Sequence, residues 1–387
     1  MKAAITGAGL SDLGRNTQRP AMAHLAEAAK RAMAMAGLTR DDIDGLCTYP
    51  GRSDASPGNS PLGTGEVRNA LGLKTRWHAA IPEGPSQMAP IMVAAMAVLT
   101  GQARHVLCFR TLTESSSQTA GRRASVSGSG GERMGGWLSW LVAAQAVSAA
   151  NWAGWMATRY FHEFGMTREH LGMVATGQRA FALHNPLAVM RKPLTMDDYF
   201  AGRMISSPLG LFDCDIPIDG ASVFIVSAPD AAMDCAAPPL WSEARGTALD
   251  SQETWDQRAD LTTMGSHDAA ADLWLRTDFK PHDIDVLGLY DGFSIFVPIW
   301  LEALGLCGHG EAKDFIAEGN IGPGGRCPVN TGGGQLSAGR LHGFGLIHET
   351  CLQLWGCADG RQVEGAKLAA CGTGGGFIAG SMLLRRD

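Results

Sequence analysis

Two short polar segments in the second half of the chain carry the side chains best suited to acid–base chemistry. Residues 290–293 read Tyr-Asp-Gly-Phe, and residues 339–343 read Gly-Arg-Leu-His-Gly. A free phenol has a pKa near 10, so a tyrosine that acts as a phenolate at pH 7 costs about 4 kcal/mol unless its surroundings lower that pKa. A nearby cation such as Arg340 would lower the pKa of Tyr290.

Each of these residues also has a purely structural interpretation. Tyr290 could be a hydrogen-bonded core residue at the end of a strand, and Asp291 could cap a helix that begins near Ser294. Arg340 could form a structural ion pair, and His342 could support other residues without touching a substrate. These alternatives remain open at the level of sequence.

The elements that would position these side chains alternate between strands and helices. In the first half we predict strands at 3–7, 43–47, 77–81 and 106–110, and helices at 20–36 and 86–100. This alternation is typical of an α/β sheet covered by helices on both faces.

The second half repeats the order of the first. A helix leads into residues 42–44 (Asp-Ile-Asp) and a strand, and a later helix leads into residues 283–285 (Asp-Ile-Asp) and a strand at 286–290. A predicted helix at 337–355 then leads to a strand at 368–371, like the helix before Val106. The chain is therefore predicted to be duplicated. Equivalent helix amino ends would then meet near a shared axis, where backbone N–H groups can stabilise an oxyanion.

A long insertion, residues 111–212, separates the two copies. It opens with a stretch rich in Ser and Gly, 114–136, which we predict to be a mobile loop. Four tryptophans follow, at Trp137, Trp140, Trp152 and Trp155. They could line a substrate tunnel, form a subunit interface or pack in the core.

Composition narrows the class of protein. The 387 residues are 45% hydrophobic and 18% charged, which allows a large core and two or three domains. A net charge of −6 without a basic cluster argues against nucleic acid as a partner. The nine cysteines include no C-x-x-C pair, so we predict reduced core cysteines and no metal site. No apolar run could span a bilayer and residues 1–10 show no leader signal, so a cytoplasmic location is expected.

Three motifs resemble sterol-carrier-protein-type thiolases. They are residues 208–214 (Pro-Leu-Gly-Leu-Phe-Asp-Cys) with 219–222, residues 329–334 (Val-Asn-Thr-Gly-Gly-Gly) with Gly339, and the glycines at 374–376. The resemblance implies an α/β thiolase fold, with duplicated βαβαβαββ halves in a five-layer αβαβα arrangement. The first half would comprise 1–110 and 213–235, the inserted domain 111–212, and the second half 236–387.

The resemblance also shows which thiolase residues have changed. Gly84 falls at the position of the nucleophilic cysteine, so acyl transfer through a thioester there is impossible. Ser86 lies two residues on, but the sequence supplies no base for it and helix capping is the favoured role. The terminal catalytic cysteine would fall on Gly372. Cys371 would then point to the opposite face of its strand and belong to the core.

The remaining pattern resembles the lipid-transfer-protein-like aldolases that remove steroid side chains. Those enzymes cleave a β-hydroxyacyl-CoA to a ketone and a shorter acyl-CoA by a retro-aldol reaction. The resemblance implies Tyr290 as proton acceptor beside Asp291, and His342 as a group that holds the enolate oxygen. Arg340 replaces a family tyrosine and could bind a carboxylate or the enolate.

Two sets of backbone N–H groups could also hold the enolate oxygen. The N–H groups belong to Gly84 and Ser86 at one helix start and to Gly374 and Gly375 near the carboxyl terminus. The substrate would be a coenzyme A thioester, with no covalently bound cofactor. A homodimer is expected, as is a heterotetramer with a small OB-fold partner that carries a zinc ribbon.

Two other functions remain open. A thiolase-fold subunit that binds acyl-CoA without catalysis would also lack the nucleophile. An acyltransferase could use another cysteine, for which Cys108 and Cys327 are the candidates. Rapid alkylation of one cysteine with loss of activity would favour the acyltransferase.

Overall fold

The structure, a computed structural model, describes residues 2–53, 56–118, 136, 138–247, 249 and 254–387. The strands are β1 (Ala4–Leu10), β2 (Gly45–Thr48), β3 (Trp77–Ala80), β4 (His105–Thr113), β5 (Met204–Ser206), β6 (Leu209–Gly210), β7 (Asp219–Ser227), β8 (Leu240–Gly246), β9 (Val286–Leu289), β10 (Leu368–Gly375) and β11 (Ile378–Arg385). The helices are α1 (Ala21–Ala36), α2 (Thr64–Leu71), α3 (Ala89–Leu99), α4 (Glu114–Ser117), α5 (Leu138–Ala143), α6 (Ala149–Phe164), α7 (Arg168–Ala182), α8 (Met196–Ala201), α9 (Pro229–Ala232), α10 (Gly265–Trp274), α11 (Phe296–Ala303), α12 (Ala312–Ala317) and α13 (Phe344–Trp355).

Two related half-sheets join into one mixed sheet. Its order is β3-β2-β4-β7-β1-β8-β11-β10-β9, and β1 pairs with β8 at the centre. β2 runs parallel to β4, which pairs antiparallel with β7; β9 and β10 are likewise parallel, and β10 pairs antiparallel with β11. Val329 forms a single parallel bridge to Leu287, where the counterpart of β3 would lie. The pairing therefore repeats, as predicted from the sequence.

Two helices lie between the half-sheets. Ile91 of α3 and Ile347 of α13 share one apolar cluster with the inner faces of β4, β7 and β10. Helix α1 covers the outer face of the first half, and α10 and α11 cover the outer face of the second. The layers run helix, sheet, helix, sheet, helix, which is the predicted five-layer arrangement.

Close contact between α1 and β1 explains two glycines in the first strand. A Cβ atom at Gly7 would lie 2.3 Å from the carbonyl oxygen of Ala32, and one at Gly9 would lie 2.1 Å from that of Ala28. Only glycine permits this approach. The helix ends at Gly37, whose φ of +70° suits a left-handed cap.

The inserted region packs on the second half. Tyr160 of α6 and Leu171 of α7 belong to the same apolar cluster as Trp300 of α11. Trp152 is buried 5.4 Å from the ring of Trp255, so the core interpretation holds for this tryptophan. Trp140 and Trp155 are exposed.

Parts of the predicted insertion remain untested. Trp137 and residues 119–135 of the predicted mobile loop lie outside the described residues. The predicted domain boundaries also stay predictions. Within the described chain, none of the helices combines the length and the apolar character needed to cross a membrane.

Both central helices begin later than predicted. A 3-10 turn at Ser86–Met88 precedes α3, and Ser86 has a φ of +58°. Helix α13 begins at Phe344 and not near residue 337, because Gly339 and Gly343 have φ angles of +119° and +94°. Such backbone cannot be helical, so the chain makes a separate turn at 334–338 first.

Candidate active site

A cavity of about 410 Å³ lies where the segments before α3 and α13 meet the carboxyl ends of β4, β9 and β10. The two helix starts are in contact, since a Cβ atom at Gly343 would lie 3.7 Å from Gln87 Cβ. This is the convergence that the duplication predicted. The cavity wall includes most of the predicted site residues: Ser86, Tyr290, Arg340, His342, Gly374 and Gly375.

Tyr290 follows β9 and is fixed from two sides. Its N–H donates to the carbonyl oxygen of Gly372 at 2.8 Å, and its ring stacks on Phe296 with centroids 6.2 Å apart. Burial and the charge of Asp215 raise the pKa of Tyr290 above its ordinary value, although Arg340 acts in the opposite direction. Arg340 therefore lowers this pKa, as expected, but burial and Asp215 outweigh its effect, and the phenol is protonated at neutral pH.

Arg340 forms ion pairs with two carboxylates. Its Nε and Nη2 donate to Glu114 Oε2 at 2.9 and 2.6 Å, and its Nη1 donates to Asp215 Oδ1 at 3.1 Å. Burial alone would raise the pKa of Glu114, but Arg340 and His342 hold that pKa well below its usual range. The ion-pair interpretation of Arg340 therefore holds, and its donors face protein carboxylates.

His342 is a neutral imidazole at the cavity wall. Burial lowers the pKa of His342 to about 4, although Glu114 acts to raise it. Its Nε2 lies 3.6 Å from Glu114 Oε1 and forms no hydrogen bond to any described residue. The residue has a φ of +51°, and the next N–H, that of Gly343, donates to Gln335 Oε1 at 3.0 Å. A buried ring nitrogen is thus available to a ligand.

Two glycines in the cavity wall are in close contact with their neighbours. Gly374 has a φ of +92°, and a Cβ atom there would lie 2.1 Å from the carbonyl oxygen of Ile378 and 2.9 Å from Ser86 Oγ. At Gly375 a Cβ atom would lie 2.9 Å from the ring of Phe296. These positions therefore accept only glycine without displacement of their neighbours.

Of the two residues predicted before α3, Ser86 lies in the cavity wall. Ser86 lines the cavity and donates to Gln87 Oε1, and it makes no helix-capping hydrogen bond. Gly84 is not among the described residues that line the cavity. A Cβ atom at Gly84 would lie 3.3 Å from side-chain atoms of Ala89 and Ile81. The expected role of Ser86 as a helix cap is therefore wrong, and the oxyanion role of Gly84 stays a prediction.

Comparison with known proteins identifies the family. A family model described as thiolase C-terminal domain-like matches residues 246–384. A steroid side-chain-cleaving aldolase of Thermomonospora curvata is 34% identical over 360 residues, which cover 90% of this chain and 88% of that protein. A 17-hydroxy-3-oxo-4-pregnene-20-carboxyl-CoA lyase of Mycobacterium tuberculosis is 34% identical over 382 residues, which cover 96% and 97%. This chain belongs to the thiolase-like aldolases.

Solved structures agree with this family. The Ltp2-ChsH2(DUF35) aldolase matches with a TM-score of 0.88 at 32% identity, over 100% of this chain and 98% of that one. A monomeric SCP2-thiolase-like protein from Mycobacterium smegmatis matches with a TM-score of 0.74 at 14% identity, over 100% and 78%. The second likeness shows the fold alone. The predicted thiolase fold, the family and the aldolase or lyase class are confirmed.

Asp291 of this aldolase shapes the site from behind the wall. It is fully buried, and its carboxylate accepts from the N–H groups of Gln335 at 2.8 Å and Leu336 at 3.4 Å. Burial raises the pKa of Asp291 to about 7. Asp291 therefore stabilises the turn at 334–338, and it is not among the described residues that line the cavity. The prediction that it caps the helix near Ser294 is wrong.

The cysteines proposed for an acyltransferase are in the core. Cys108 and Cys327 are buried, and burial raises the pKa of both thiols, that of Cys327 to about 12. Cys371 is buried beside Thr350 with its pKa raised to about 12, as expected of a core residue. Cys214 is the cysteine found in the described cavity wall.

Sequence reasoning missed the charges that organise the cavity. Glu114 was placed at the start of a loop, Asp215 was passed over, and Arg110 was taken as part of an apolar strand. Arg110 is buried and donates to the carbonyl oxygen of Tyr49 at 3.0 Å and to Asn59 Oδ1. An arginine inside an otherwise apolar strand was the available signal, since such a charge requires partners.

Proposed function

We propose that this protein cleaves a β-hydroxyacyl-CoA by a retro-aldol reaction, which releases a ketone and a shorter acyl-CoA. The observation that carries the proposal is the chemistry of the cavity wall. It presents the protonated phenol of Tyr290, the neutral imidazole of His342 and the carboxylate of Asp215. Before α3 the chain has Gly84 and Ser86, where a thiolase has its nucleophilic cysteine. These groups suit proton transfer, and a retro-aldol reaction needs no covalent enzyme intermediate.

The proton moves through Tyr290. Its oxygen accepts the β-hydroxyl proton while its own proton passes to Asp215, which lines the same cavity. The O–H electron pair forms the ketone, the bond between the α and β carbons breaks, and its electron pair enters the thioester enolate. A proton then returns to the α carbon. No free phenolate forms, which avoids a cost above about 4 kcal/mol at pH 7.

The enolate oxygen is held by His342. Its Nε2 is the buried ring nitrogen without a hydrogen-bond partner among the described residues. A neutral imidazole can donate one N–H to a developing oxyanion and contributes most where water is excluded. Ser86 and Gly374 also line this cavity.

The acyl group we propose is a steroid side chain. Both relatives at 34% identity carry steroid names, and the cavity wall includes the apolar side chains of Ile205, Trp255 and Phe293. Because Arg340 is engaged by Glu114 and Asp215, we assign it to positioning those carboxylates and not to binding a substrate carboxylate.

A partner protein is part of the proposal. The matching aldolase structure combines Ltp2 with ChsH2(DUF35), and we propose a similar small partner for this chain. The homodimer, the OB fold and zinc ribbon of the partner, and the cytoplasmic location stay predictions. Non-catalytic binding of acyl-CoA is the outcome that the following experiment must exclude.

Tyr290→Phe tests the proposed reaction. The protein, with and without the small partner, is incubated with a β-hydroxyacyl-CoA that carries a tertiary hydroxyl, and ketone release is followed by mass spectrometry. We expect Tyr290→Phe to lower kcat about 100-fold or more. Tyr199→Phe is the matched control, because it removes another buried phenol, one bonded to Asp213. Ketone release by Tyr290→Phe within threefold of wild type would contradict the role of Tyr290.

A further inference from the structure

Three side chains outside the cavity form a cluster of metal-ligand type. His267 of α10, Glu302 of α11 and His309 of the following loop each place one ligand atom within 4.8 Å of the others. His309 Nδ1 lies 3.0 Å from Glu302 Oε2, and the two imidazole rings meet at 89° with centroids 6.0 Å apart. Two imidazoles and one carboxylate are a ligand set that binds zinc.

The carboxylate of this cluster is oriented by its surroundings. Glu302 Oε1 accepts from the N–H groups of Gly310 at 3.0 Å and Ala312 at 3.2 Å, and from the hydroxyl of Tyr160. Those donors leave Oε2 directed at the imidazoles. Hydrogen bonds of this kind fix the ligating oxygen in metal sites.

The histidines are oriented in the same way. His309 Nε2 lies 3.1 Å from Thr262 Oγ1 and 3.7 Å from Asp260 Oδ2, so its other nitrogen faces the cluster. The described hydrogen bonds of His267 are made by Nδ1, which faces the N–H of Met264 at 3.5 Å and Ser266 Oγ at 3.4 Å. In the tautomer in which the Nδ1–H donates to Ser266 Oγ, Nε2 carries the lone pair that a metal ion needs.

We propose that His267, Glu302 and His309 bind a zinc-type divalent cation. The site has a structural role at the edge of the cavity. The segment 254–263 places Thr262 and Asp260 beside His309, and it places Trp255 in the cavity wall. The cation thus joins α10, α11 and the loop that carries His309, and Thr262 and Asp260 contact this group through His309 Nε2.

Zinc binding by the whole chain tests this proposal. Zn²⁺ is titrated by calorimetry and by competition with a chromophoric chelator, and Co²⁺ absorption reports the coordination geometry. We expect one equivalent per chain, a Zn²⁺-dependent rise in Tm, and a tetrahedral Co²⁺ spectrum. His267→Gln should weaken Zn²⁺ binding at least 100-fold, whereas His282→Gln, which changes an exposed histidine outside the cluster, should bind as wild type.

A second variant keeps the test decisive if His267→Gln does not fold. Tyr160→Phe retains all three ligands but removes one orienting donor, and should weaken Zn²⁺ binding about 10-fold. Equal Zn²⁺ affinity in wild type and both cluster variants, or no stoichiometric binding by wild type, would overturn the proposal. Circular dichroism of each variant confirms that the folded protein is compared.

Discussion

Arg340 shows how one residue can keep two buried carboxylates charged. Its side chain is 20% exposed, and its partners Glu114 and Asp215 are 3% and 11% exposed. Removal of one member of such a network leaves charges that neither water nor protein compensates.

Arg340→Met should therefore destabilise the protein strongly. We expect a loss of about 3–5 kcal/mol in the free energy of unfolding, because Glu114 and Asp215 lose their shared partner. Urea denaturation measures the change. The double variant Arg340→Met/Glu114→Gln should recover part of the loss, since one buried charge is then absent. Additive effects in the double-mutant cycle would show that the pair is not coupled.

Glu114 should also make stability depend on pH. Its pKa in the folded protein lies below the ordinary value of 4.5, so the unfolded chain takes up its proton first as the pH falls. The stabilising contribution is complete above pH 4.5 and is lost as the pH falls toward the folded pKa. Denaturation midpoints at neutral and acidic pH measure this change, and Glu114→Gln should reduce the decline. The same decline in both proteins would contradict the assignment.

At the scale of elements, glycines allow close packing at the cavity wall. Gly374, near the end of β10, has a φ of +92° and lies against Ile378 and Ser86, whereas Gly365 has a φ of +73° with open space around it. Both positions disfavour a Cβ atom through backbone conformation, but only Gly374 adds a steric clash.

Gly374→Ala and Gly365→Ala form a matched pair. Gly365→Ala should cost about 1 kcal/mol through its backbone conformation alone. Gly374→Ala should cost more than about 2 kcal/mol, because the new atom would also displace Ile378 or Ser86. Urea denaturation compares the two variants. Equal losses would show that close packing at Gly374 is not the constraint.

The sequence predicted elements better than it predicted their ends. Helices α1 and α3 and the buried strands follow from apolar periodicity and from glycine stops such as Gly37. The start of α13 was placed too early, because the positive φ angles of Gly339 and Gly343 are set by tertiary packing that periodicity does not report. His342 sits between these glycines, so its cavity position depends on that break.

At the scale of the molecule, duplication explains why the cavity forms where it does. The segments before α3 and α13 occupy equivalent places in the two halves, and each contributes wall residues, Gln87 from one and His342 from the other. The repeated Asp-Ile-Asp segments revealed this symmetry. The Glu114 and Asp215 pair was not visible, because residues far apart in sequence meet at Arg340 only after both halves have folded.

The metal-type cluster was hidden for the same reason. His267, Glu302 and His309 come from two helices and a loop, with no short spacing typical of zinc motifs. Long-range assembly also places Trp255 beside the cavity. The whole fold is therefore needed to see either set of residues.

The central claim is carbon–carbon cleavage without a covalent intermediate. The most direct test is whether product formation depends on free coenzyme A. Wild-type protein is incubated with the β-hydroxyacyl-CoA in the absence of free coenzyme A, products are quantified, and the intact protein is weighed by mass spectrometry during turnover. Retro-aldol cleavage predicts ketone and shorter acyl-CoA in equal amounts, with the mass of the protein unchanged. Product formation that requires free coenzyme A, together with an acyl adduct on Ser86 or Cys214, would contradict it.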